Sequence, residues 1–366
     1  MQLLRRNDYS IVKKQLSLFS HHTVLRAILD GTTSGRIYID RQVSPNIIFI
    51  QFRHRAFIFG DHNALEVNAI EHFISTVVFG NCAESNVTLV RVTVENQTWL
   101  DFLYTSLDHY YPLLFDYQIY ENQLSSLKQE FRVPEGFKLR YVSQKLLSEN
   151  FGGKEDLIEE MCSERESVDA FLNKSFGITA FQGTKLAGWC LSEYNHNDRC
   201  EVGIATLPPY RRQGLAKAMT SKFKNVARNK GYKIILWHCY KSNTPSSRTA
   251  LSSGFKLIDE HQVMNIYVEQ SVGLAVHGNV AFEKGYYEKA LSFYQQALNR
   301  PDQKTWMAWN AACAAAHQHL DHQVFMYLNL AIDLGFTDMD HLFESEHFGT
   351  YHDDPRWLKV TNRLSQ

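Results

Sequence analysis

A short run of basic and small residues, Arg211-Arg212-Gln213-Gly214-Leu215-Ala216, offers the clearest chemistry in this sequence. An apolar stretch at residues 200–207 precedes it and predicts a buried strand, and a helical pattern over residues 215–230 follows it. A turn that joins a strand to a helix presents unpaired backbone N–H groups, and the positive end of the helix dipole, to whatever lies in front of it. The pattern therefore predicts a site for a pyrophosphate group.

The residues that follow extend this pattern. A second apolar strand is predicted over residues 232–238, and after it come Asn243, a helix from about Ser246, and the turn Gly254-Phe255. With Arg211, Gly214 and Ala216 in the fixed positions of the first turn, this order resembles the GNAT acyl-CoA-dependent N-acetyltransferases. In that family the first turn holds the pyrophosphate of the acyl-CoA, and the second strand, the Asn and the helix flank the pantetheine arm.

The resemblance implies acetyl-CoA as cosubstrate and a set of groups that hold it. Backbone groups of the strand before the turn would pair with the pantetheine amides as an added strand does, and the N–H of Ala205 or Thr206 would polarise the thioester oxygen. Asn243, assisted by Ser247, would bond the pantetheine or the strand at Ala205, although an Asn here also fits a helix N-cap. The implied binding residues are Ile204, Ala205, Thr206, Arg211, Arg212, Gln213, Gly214, Leu215, Ala216, Asn243 and Ser247.

Acyl transfer to an amine needs one group that takes a proton from the amine and another that gives a proton to the departing thiolate. Glu201 begins the strand that leads to the turn, and the resemblance implies a carboxylate base at this place, acting directly or through water. The alternative for Glu201 is a surface carboxylate on an edge strand. His196 and His238 are rival bases.

The proton donor departs from the family pattern. The Tyr that often serves lies seven residues after the Asn, and here that residue is Ala250. The candidate replacements are Ser247, Tyr240 and Tyr210. Solvent is a further candidate, because a thiol is acidic enough to leave with limited help.

The composition predicts a globular protein of two or three domains. The chain has 366 residues, 44% of them hydrophobic and 13% aromatic, which can supply more than one core. Its 38 Lys+Arg nearly balance its 39 Asp+Glu, so no overall field favours nucleic acid or an anionic membrane. No apolar run has the length of a signal-peptide core or a membrane helix, and we expect a cytoplasmic location.

The six cysteines are scattered, without a CxxC pair or a Cys/His ladder, and the 16 histidines show no metal-binding spacing. This distribution predicts reduced thiols and no metal site.

The order of the predicted elements divides the chain into three parts. Residues 1–133 alternate strands and helices without a Gly-rich phosphate turn and resemble a degenerate GNAT-like lobe, and residues 134–269 hold the GNAT pattern itself. Residues 270–366 carry Gly, Ala and aromatic residues at helical spacing and resemble a tetratricopeptide-type (TPR) unit, in which small residues allow close helix approach. The predicted class is α/β (α+β), with a helical TPR-like C-terminal domain.

The whole arrangement most resembles the GNAT subgroup associated with self-resistance to the aminopolyol antibiotic zwittermicin A. The expected function is therefore N-acetyl transfer to a primary amine of a small molecule. Two alternatives stay open: acetylation of a protein or peptide recruited through the repeats, and a CoA-binding interaction protein without catalysis, which Ala250 favours. The helical part is expected to pack as an accessory or self-association element, or to bind a protein partner.

Overall fold

The computed structural model describes residues 1–13, 21–124 and 131–365. The chain divides into two compact units, one made of Met1–Asp61 and Phe115–Val263, the other of His62–Leu114 and Met264–Gln366. Part of an expected N-terminal helix, around Leu16 and Phe19, lies outside the described residues. The three-part division of the sequence at residues 133 and 269 stays a prediction.

Strands and helices alternate through most of the chain, and helices alone follow residue 269. The strands are β1 (Gln2–Leu3), β2 (Arg36–Ile39), β3 (Ile47–Phe52), β4 (Arg55–Gly60), β5 (Leu89–Val94), β6 (Leu113–Gln123), β7 (Phe137–Tyr141), β8 (Gly177–Gln182), β9 (Lys185–His196), β10 (Arg199–Thr206), β11 (Ile234–Tyr240) and β12 (Lys256–Tyr267). The helices are α1 (Thr23–Leu29), α2 (Val67–Phe73), α3 (Phe79–Glu84), α4 (Gln97–Ser106), α5 (Gln144–Ser148), α6 (Lys154–Ser163), α7 (Val168–Lys174), α8 (Leu215–Asn229), α9 (Thr244–Ser252), α10 (Gln270–Glu283), α11 (Tyr287–Leu298), α12 (Thr305–Ala316), α13 (Asp321–Asp333), α14 (Met339–Glu344) and α15 (Pro355–Leu364).

The first unit contains two runs of paired strands. In the shorter run β1, β2, β3 and β4 pair in sequence, each antiparallel to the next. In the longer run the order is β6-β11-β10-β9-β8-β7, in which β10 and β11 are parallel and the other neighbours are antiparallel. Helix α1 packs against β9 and β10. Strands β9 and β10 are therefore the part of the longer run that contacts α1.

The longer run is covered on both faces, which explains why β9 reads as a nearly continuous buried strand. On one face α8 and α9 close a core around Phe223, Trp237 and Phe255. On the other face α5, α6 and α7 close a core around Trp189 and Leu157. The covered faces hold β10 and β11 rigidly, as a functional site on them requires.

The second unit is mainly helical. Helices α10 and α11 form one packed pair and α12 and α13 another, and α11 also contacts α12. Five alanines of α12 are completely buried, and Gly278 of α10 lies against the ring of Tyr294, where a Cβ would come within 2.6 Å of a ring carbon. Small residues thus let these helices approach closely, as the sequence predicted for residues 270–334.

The mixed α/β class with a helical C-terminal part is confirmed. The predicted strand pair 176–181 and 186–191 corresponds to β8 and β9, and the helix predicted at 215–230 corresponds to α8. The helix predicted from about Ser246 begins earlier, at Thr244, because the side chain of Asn243 caps it. Among the described residues, no helix combines the length and the apolar composition needed to cross a bilayer.

Candidate active site

The pairing between strands β10 and β11 ends halfway along their length. Their parallel ladder runs from Arg199–Ile234 to Val202–Trp237, whereas β10 continues to Thr206 and β11 to Tyr240. On its other side β10 stays paired with β9 as far as Thr206–Gly188. We call the stretch where the ladder has ended, residues 203–206 of β10 and 238–240 of β11, the strand gap. It leaves backbone groups of β10 facing an unpaired edge inside the sheet, where an extended ligand can add as a strand does.

The predicted pyrophosphate turn lies at the end of β10. Arg212 and Gly214 both have positive φ angles, 62° and 83°, a conformation that glycine adopts without a steric penalty. Gly214 is the N-cap of α8 and gives the helix no side-chain cap. A Cβ on Gly214 would meet no described atom within 4 Å. The first N–H groups of α8 therefore face open space.

The turn is tied to the strand gap by its own side chains. The Arg211 Nε donates to the backbone oxygen of Thr206 at 3.0 Å, and the Gln213 Nε2 donates to that of Pro209 at 3.5 Å. Arg211, Arg212 and Gln213 are all exposed, and Leu215 anchors the first turn of α8 in the core. The guanidinium groups are thus available to an anion in front of the helix.

Helix α8 is positioned by a stripe of apolar residues at helical spacing. Leu215, Met219, Phe223 and Ala227 are almost completely buried and recur every fourth residue. Ala216, the last residue of the predicted pyrophosphate pattern, is half-buried beside this stripe. The stripe fixes the direction in which the N-terminus of α8 points.

On the other side of the strand gap, Asn243 and Ser247 mark the start of α9. The Asn243 Oδ1 accepts from the backbone N–H of Ser246 at 3.2 Å, which is the N-cap interaction considered for it from the sequence. The Ser247 Oγ donates to the Gln118 Oε1 at 3.2 Å and lies 3.6 Å from the Cys239 Sγ. Its capacity to bind or donate to a ligand stays a prediction.

Tyr240, in β11, and Ser247, in α9, lie on opposite sides of the sheet at β11. Cys239 and Trp237 belong to the core beneath α8 and α9, so by the alternation of a strand Tyr240 and His238 face the opposite way. The Tyr240 ring is half-buried and its centroid is 5.3 Å from that of Tyr117. Of Tyr240 and Ser247, two of the three predicted proton donors, Tyr240 is therefore the one that shares a face with Glu201. Tyr210, also considered as a donor, has its ring 6.0 Å from that of Phe137.

Glu201 belongs to a buried charged group that we call the carboxylate cluster: Arg55, Glu164, Glu193 and Glu201. The Arg55 Nη1 donates to the Glu201 Oε1 at 2.6 Å, and the Arg55 Nη2 donates to the Glu193 Oε2 at 3.0 Å and lies 3.4 Å from the Glu164 Oε1. One arginine thus serves three carboxylates. Three carboxylates around one guanidinium leave an excess of negative charge, and in a buried site this excess favours protonation of one of the carboxylates.

The cluster meets the strand gap at Gly203. A Cβ on Gly203 would come within 2.1 Å of the Glu193 Oε1, so this carboxylate occupies the space beside the first residue of the gap. The side chain of Glu193 is 17% exposed, whereas that of Glu201 is 0% exposed. Glu193 is therefore the acid of this pair that solvent or a small ligand reaches. Glu201 lies at the point where the β9–β10 register shifts, between Cys200 and Val202.

Burial controls the acidity of the cluster. Burial raises the pKa of Glu193 well above its usual value, the charge of Glu164 adds to this, and Arg55 opposes it. Burial raises the pKa of Tyr194 well above its usual value, and Glu164, to which the Tyr194 hydroxyl donates, contributes. Burial alone would lower the pKa of Arg55, but Glu201, Tyr194, Glu164 and Glu193 together hold it well above its usual value. Arg55 is thus a permanent cation, and Glu193 holds a proton more tightly than an ordinary carboxyl group does.

Histidines extend the cluster on the side of β11. The His238 Nδ1 lies 3.7 Å from the Glu201 Oε1, and the His238 ring centroid is 5.6 Å from that of His22. Burial lowers the pKa of His22 well below its usual value, and His238, His261 and Arg55 add to the effect. The other rival base, His196, pairs with Asp30 at 2.5 Å and lies at the far end of β9.

The sequence did not identify Arg55, Glu164 or Glu193. Arg55 follows a turn in a basic stretch, and Glu193 is one of several carboxylates near the end of a hydrophobic strand. A signal existed: both are charged residues within strands whose neighbours are buried. Such residues are buried only when they are paired.

Comparisons with known proteins agree with this geometry. The GNAT acetyltransferase family matches residues 14–264. A protein of Bacillus subtilis (strain 168), described as uncharacterized N-acetyltransferase YdfB, is 27% identical over 270 residues, which cover 72% of this chain and 97% of YdfB. The crystal structure of a GCN5-related N-acetyltransferase-like protein from Streptococcus suis 89/1591 superposes with a TM-score of 0.53 at 19% identity, covering 71% of this chain and 98% of that one. The solved structure shares the fold.

Proposed function

Because this chain belongs to the GNAT acetyltransferase family, we propose that it transfers an acetyl group from acetyl-CoA to a primary amine of a small molecule. GNAT enzymes generally use acetyl-CoA as the acetyl donor. The single observation that carries the proposal is the strand gap with an uncapped helix N-terminus at its end. An extended amide chain fits the first, and a pyrophosphate fits the second.

In this proposal acetyl-CoA supplies the activated acetyl thioester, and the chain supplies the groups that hold it. The backbone of Ile204, Ala205 and Thr206 pairs with the pantetheine arm, and an N–H of this stretch polarises the thioester oxygen. The N–H groups at Gly214, Leu215 and Ala216 hold the pyrophosphate. Arg211, Arg212 and Gln213 add donors from the turn, and Asn243 and Ser247 close the opposite side.

Glu193 is the carboxylate that we propose as the general base, which takes the proton from the acceptor amine. It is the more exposed carboxylate of the pair, it lies beside Gly203, and its raised pKa suits proton transfer closer to neutral pH. Glu201, the base expected from the sequence, then has an indirect role: it accepts a hydrogen bond from Arg55 and holds this residue in place. Glu201 as the base, acting directly or through water, remains the competing prediction.

The proton for the departing thiolate comes, in this proposal, from Tyr240. It faces the same side of β11 as His238 and lies in the strand gap, whereas Ser247 lies on the helix side. The carboxylate cluster holds three carboxylates against one guanidinium, a charge balance that favours a cationic ligand and so supports an amine as the acceptor. Membership of the zwittermicin-resistance subgroup is part of the same proposal.

The first experiment tests acetyl-CoA binding through the melting temperature. Acetyl-CoA should stabilise the protein, since a ligand that binds only the folded state raises its stability. Gly214→Glu should abolish the shift, because a carboxylate would occupy the open space before α8. Gly183→Glu is the matched control: Gly183 also has positive φ and open surroundings, but it lies in the β8–β9 turn. Loss of the shift in both variants, or no shift in the parent protein, would contradict the proposal.

The second experiment sorts acceptors by release of free thiol from acetyl-CoA. Aminopolyols and diamines should react faster than lysine-containing peptides if the acceptor is a small amine. The reverse order would favour the alternative acceptor, a protein or peptide recruited through the TPR-like helix pairs α10–α11 and α12–α13. No thiol release with any amine, together with acetyl-CoA binding, would favour a non-catalytic CoA-binding protein.

A further inference from the structure

A cavity of about 230 Å³ opens in the helical part of the second unit. Asn279, Phe282 and Glu283 of α10, Trp309 and Asn310 of α12, and His347 after α14 contribute to its wall. Pockets for drug-sized ligands span roughly 300–1,000 Å³, so this one has room for a single group the size of a side chain. All of these residues lie beyond residue 264, where the family match ends.

The charge of the wall is negative. Glu283 is acidic, and the lining that the structure describes contains neither lysine nor arginine. Burial and the nearby His317 lower the pKa of His347, so this imidazole is neutral near pH 7 and adds no competing positive charge. A cation entering the cavity therefore meets one carboxylate and no repelling group in the wall.

Two aromatic rings suit the same kind of ligand. Phe282 is half-buried, with its ring in edge contact with those of His317 and His347. The Trp309 ring, which is 9% exposed, stacks with Phe336 and His341 at centroid distances of 4.6 and 4.7 Å, and Phe348 contacts it edge-on at 5.3 Å. Aromatic faces attract ammonium groups, and tryptophan does so most strongly.

Two asparagines add a fixed donor and acceptor. The Asn279 Oδ1 accepts from the Tyr294 hydroxyl at 2.8 Å and from the Asn310 Nδ2 at 2.9 Å. These bonds orient both amides and leave the Asn279 Nδ2 as a donor and the Asn310 Oδ1 as an acceptor. Such a pair complements the N–H and C=O of a peptide backbone.

We propose that this cavity binds a primary alkylammonium group, the head of a lysine side chain or of a free aliphatic amine. Glu283 supplies the counter-charge, Phe282 and Trp309 supply the aromatic contact, and the asparagine pair favours a lysine within a peptide. The residues that line it are different from those that form the strand gap. Binding of the alkylammonium group in this cavity does not depend on acetyl transfer.

The test is a titration of the full-length protein followed by saturation-transfer NMR of the ligand. The probes are n-butylammonium chloride and Nα-acetyl-lysine methylamide, and their uncharged partners are 1-butanol and Nα-acetyl-norleucine methylamide. Glu283→Gln should weaken binding of both cations about three- to fivefold, as loss of an exposed ion pair does. Phe282→Leu should weaken it about two- to fivefold. Glu288→Gln, an equal charge change at an exposed residue outside the lining, is the control.

The comparison of probes separates the two sources of the ammonium group. Tighter binding of the lysine amide than of n-butylammonium assigns the cavity to a peptide, and equal binding assigns it to free amines. Equal signals from the charged and uncharged probes would overturn the proposal, as would unchanged binding in both Glu283→Gln and Phe282→Leu. Glu193→Gln locates the signal: an amine bound at the transfer site would be lost in this variant, whereas one bound in the cavity would persist. Thiol release is measured separately, so failure of acetyl transfer leaves this result intact.

Discussion

The predicted pyrophosphate turn and the carboxylate cluster lie at the two ends of the strand gap, yet they are composed of different kinds of group. The turn consists of backbone groups from consecutive residues, 211–216, and its side chains are mostly exposed. The cluster consists of side chains that come from residues 55, 164, 193 and 201 and are mostly buried. Substitutions in the turn should therefore change ligand binding and spare the fold, whereas substitutions in the cluster should affect both stability and catalysis.

The largest effect is expected for Arg55→Met. It leaves the three carboxylates of the cluster, two of them buried, without their cation, and breaking a buried ion pair costs about 3–5 kcal/mol. The melting temperature should fall by about 10 °C. Arg5→Met, at an exposed arginine, should change it little. Adding Glu201→Gln to Arg55→Met should restore part of the lost stability; a double variant as unstable as the sum of the singles would contradict the cluster as a unit.

The second-largest effect is expected for the loss of Glu193, compared with the loss of Glu201. Glu193→Gln should lower kcat by about 10²- to 10⁴-fold, the usual contribution of a general base, and leave the acetyl-CoA-induced melting shift unchanged. Glu201→Gln should lower kcat less, because it acts through Arg55. Steady-state kinetics decide between them. A larger loss for Glu201→Gln would return the base to the residue expected from the sequence.

The raised pKa of Glu193 also sets a pH dependence with a definite sign. The folded protein holds this proton more tightly than the unfolded chain, so the group costs no stability below the ordinary carboxyl pKa of 4.5 and progressively more as pH rises above it. Relative to the parent protein, Glu193→Gln should therefore become more stable as pH increases from 4.5. Thermal unfolding at a series of pH values measures this. A constant difference would show that Glu193 titrates normally.

The smallest effect is expected at the turn. Arg211→Met removes an exposed guanidinium that donates to Thr206, and it should raise the KM for acetyl-CoA several-fold, with a change in unfolding free energy below about 0.5 kcal/mol. The increase in KM should shrink in high salt, because the lost attraction is screened. A destabilisation as large as that of Arg55→Met would remove the contrast between the two regions.

Sequence reasoning could find the turn because its information is local. The φ angles that Gly214 requires, the apolar stripe of α8 and the Asn243 cap are all written within a few neighbouring residues. The cluster is different, since Arg55 and Glu201 are 146 positions apart and meet because the Arg55 side chain of β4 reaches β9 and β10, against which α1 also packs. Glu201 was predicted as a base from its place in the strand before the turn, but no pattern in the sequence indicates that an arginine of the N-terminal segment is its partner.

The early end of the β10–β11 ladder has a consequence for self-association. Exposed strand edges invite pairing with other chains, and proteins usually protect them with charge, proline or a covering loop. Here the unpaired edge is internal, because β9 continues beside one strand and β6 beside the other. A foreign sheet is too broad to enter such a slit. The strand gap is therefore protected against pairing with another sheet, whereas the single extended chain proposed as its ligand is narrow enough to add to β10.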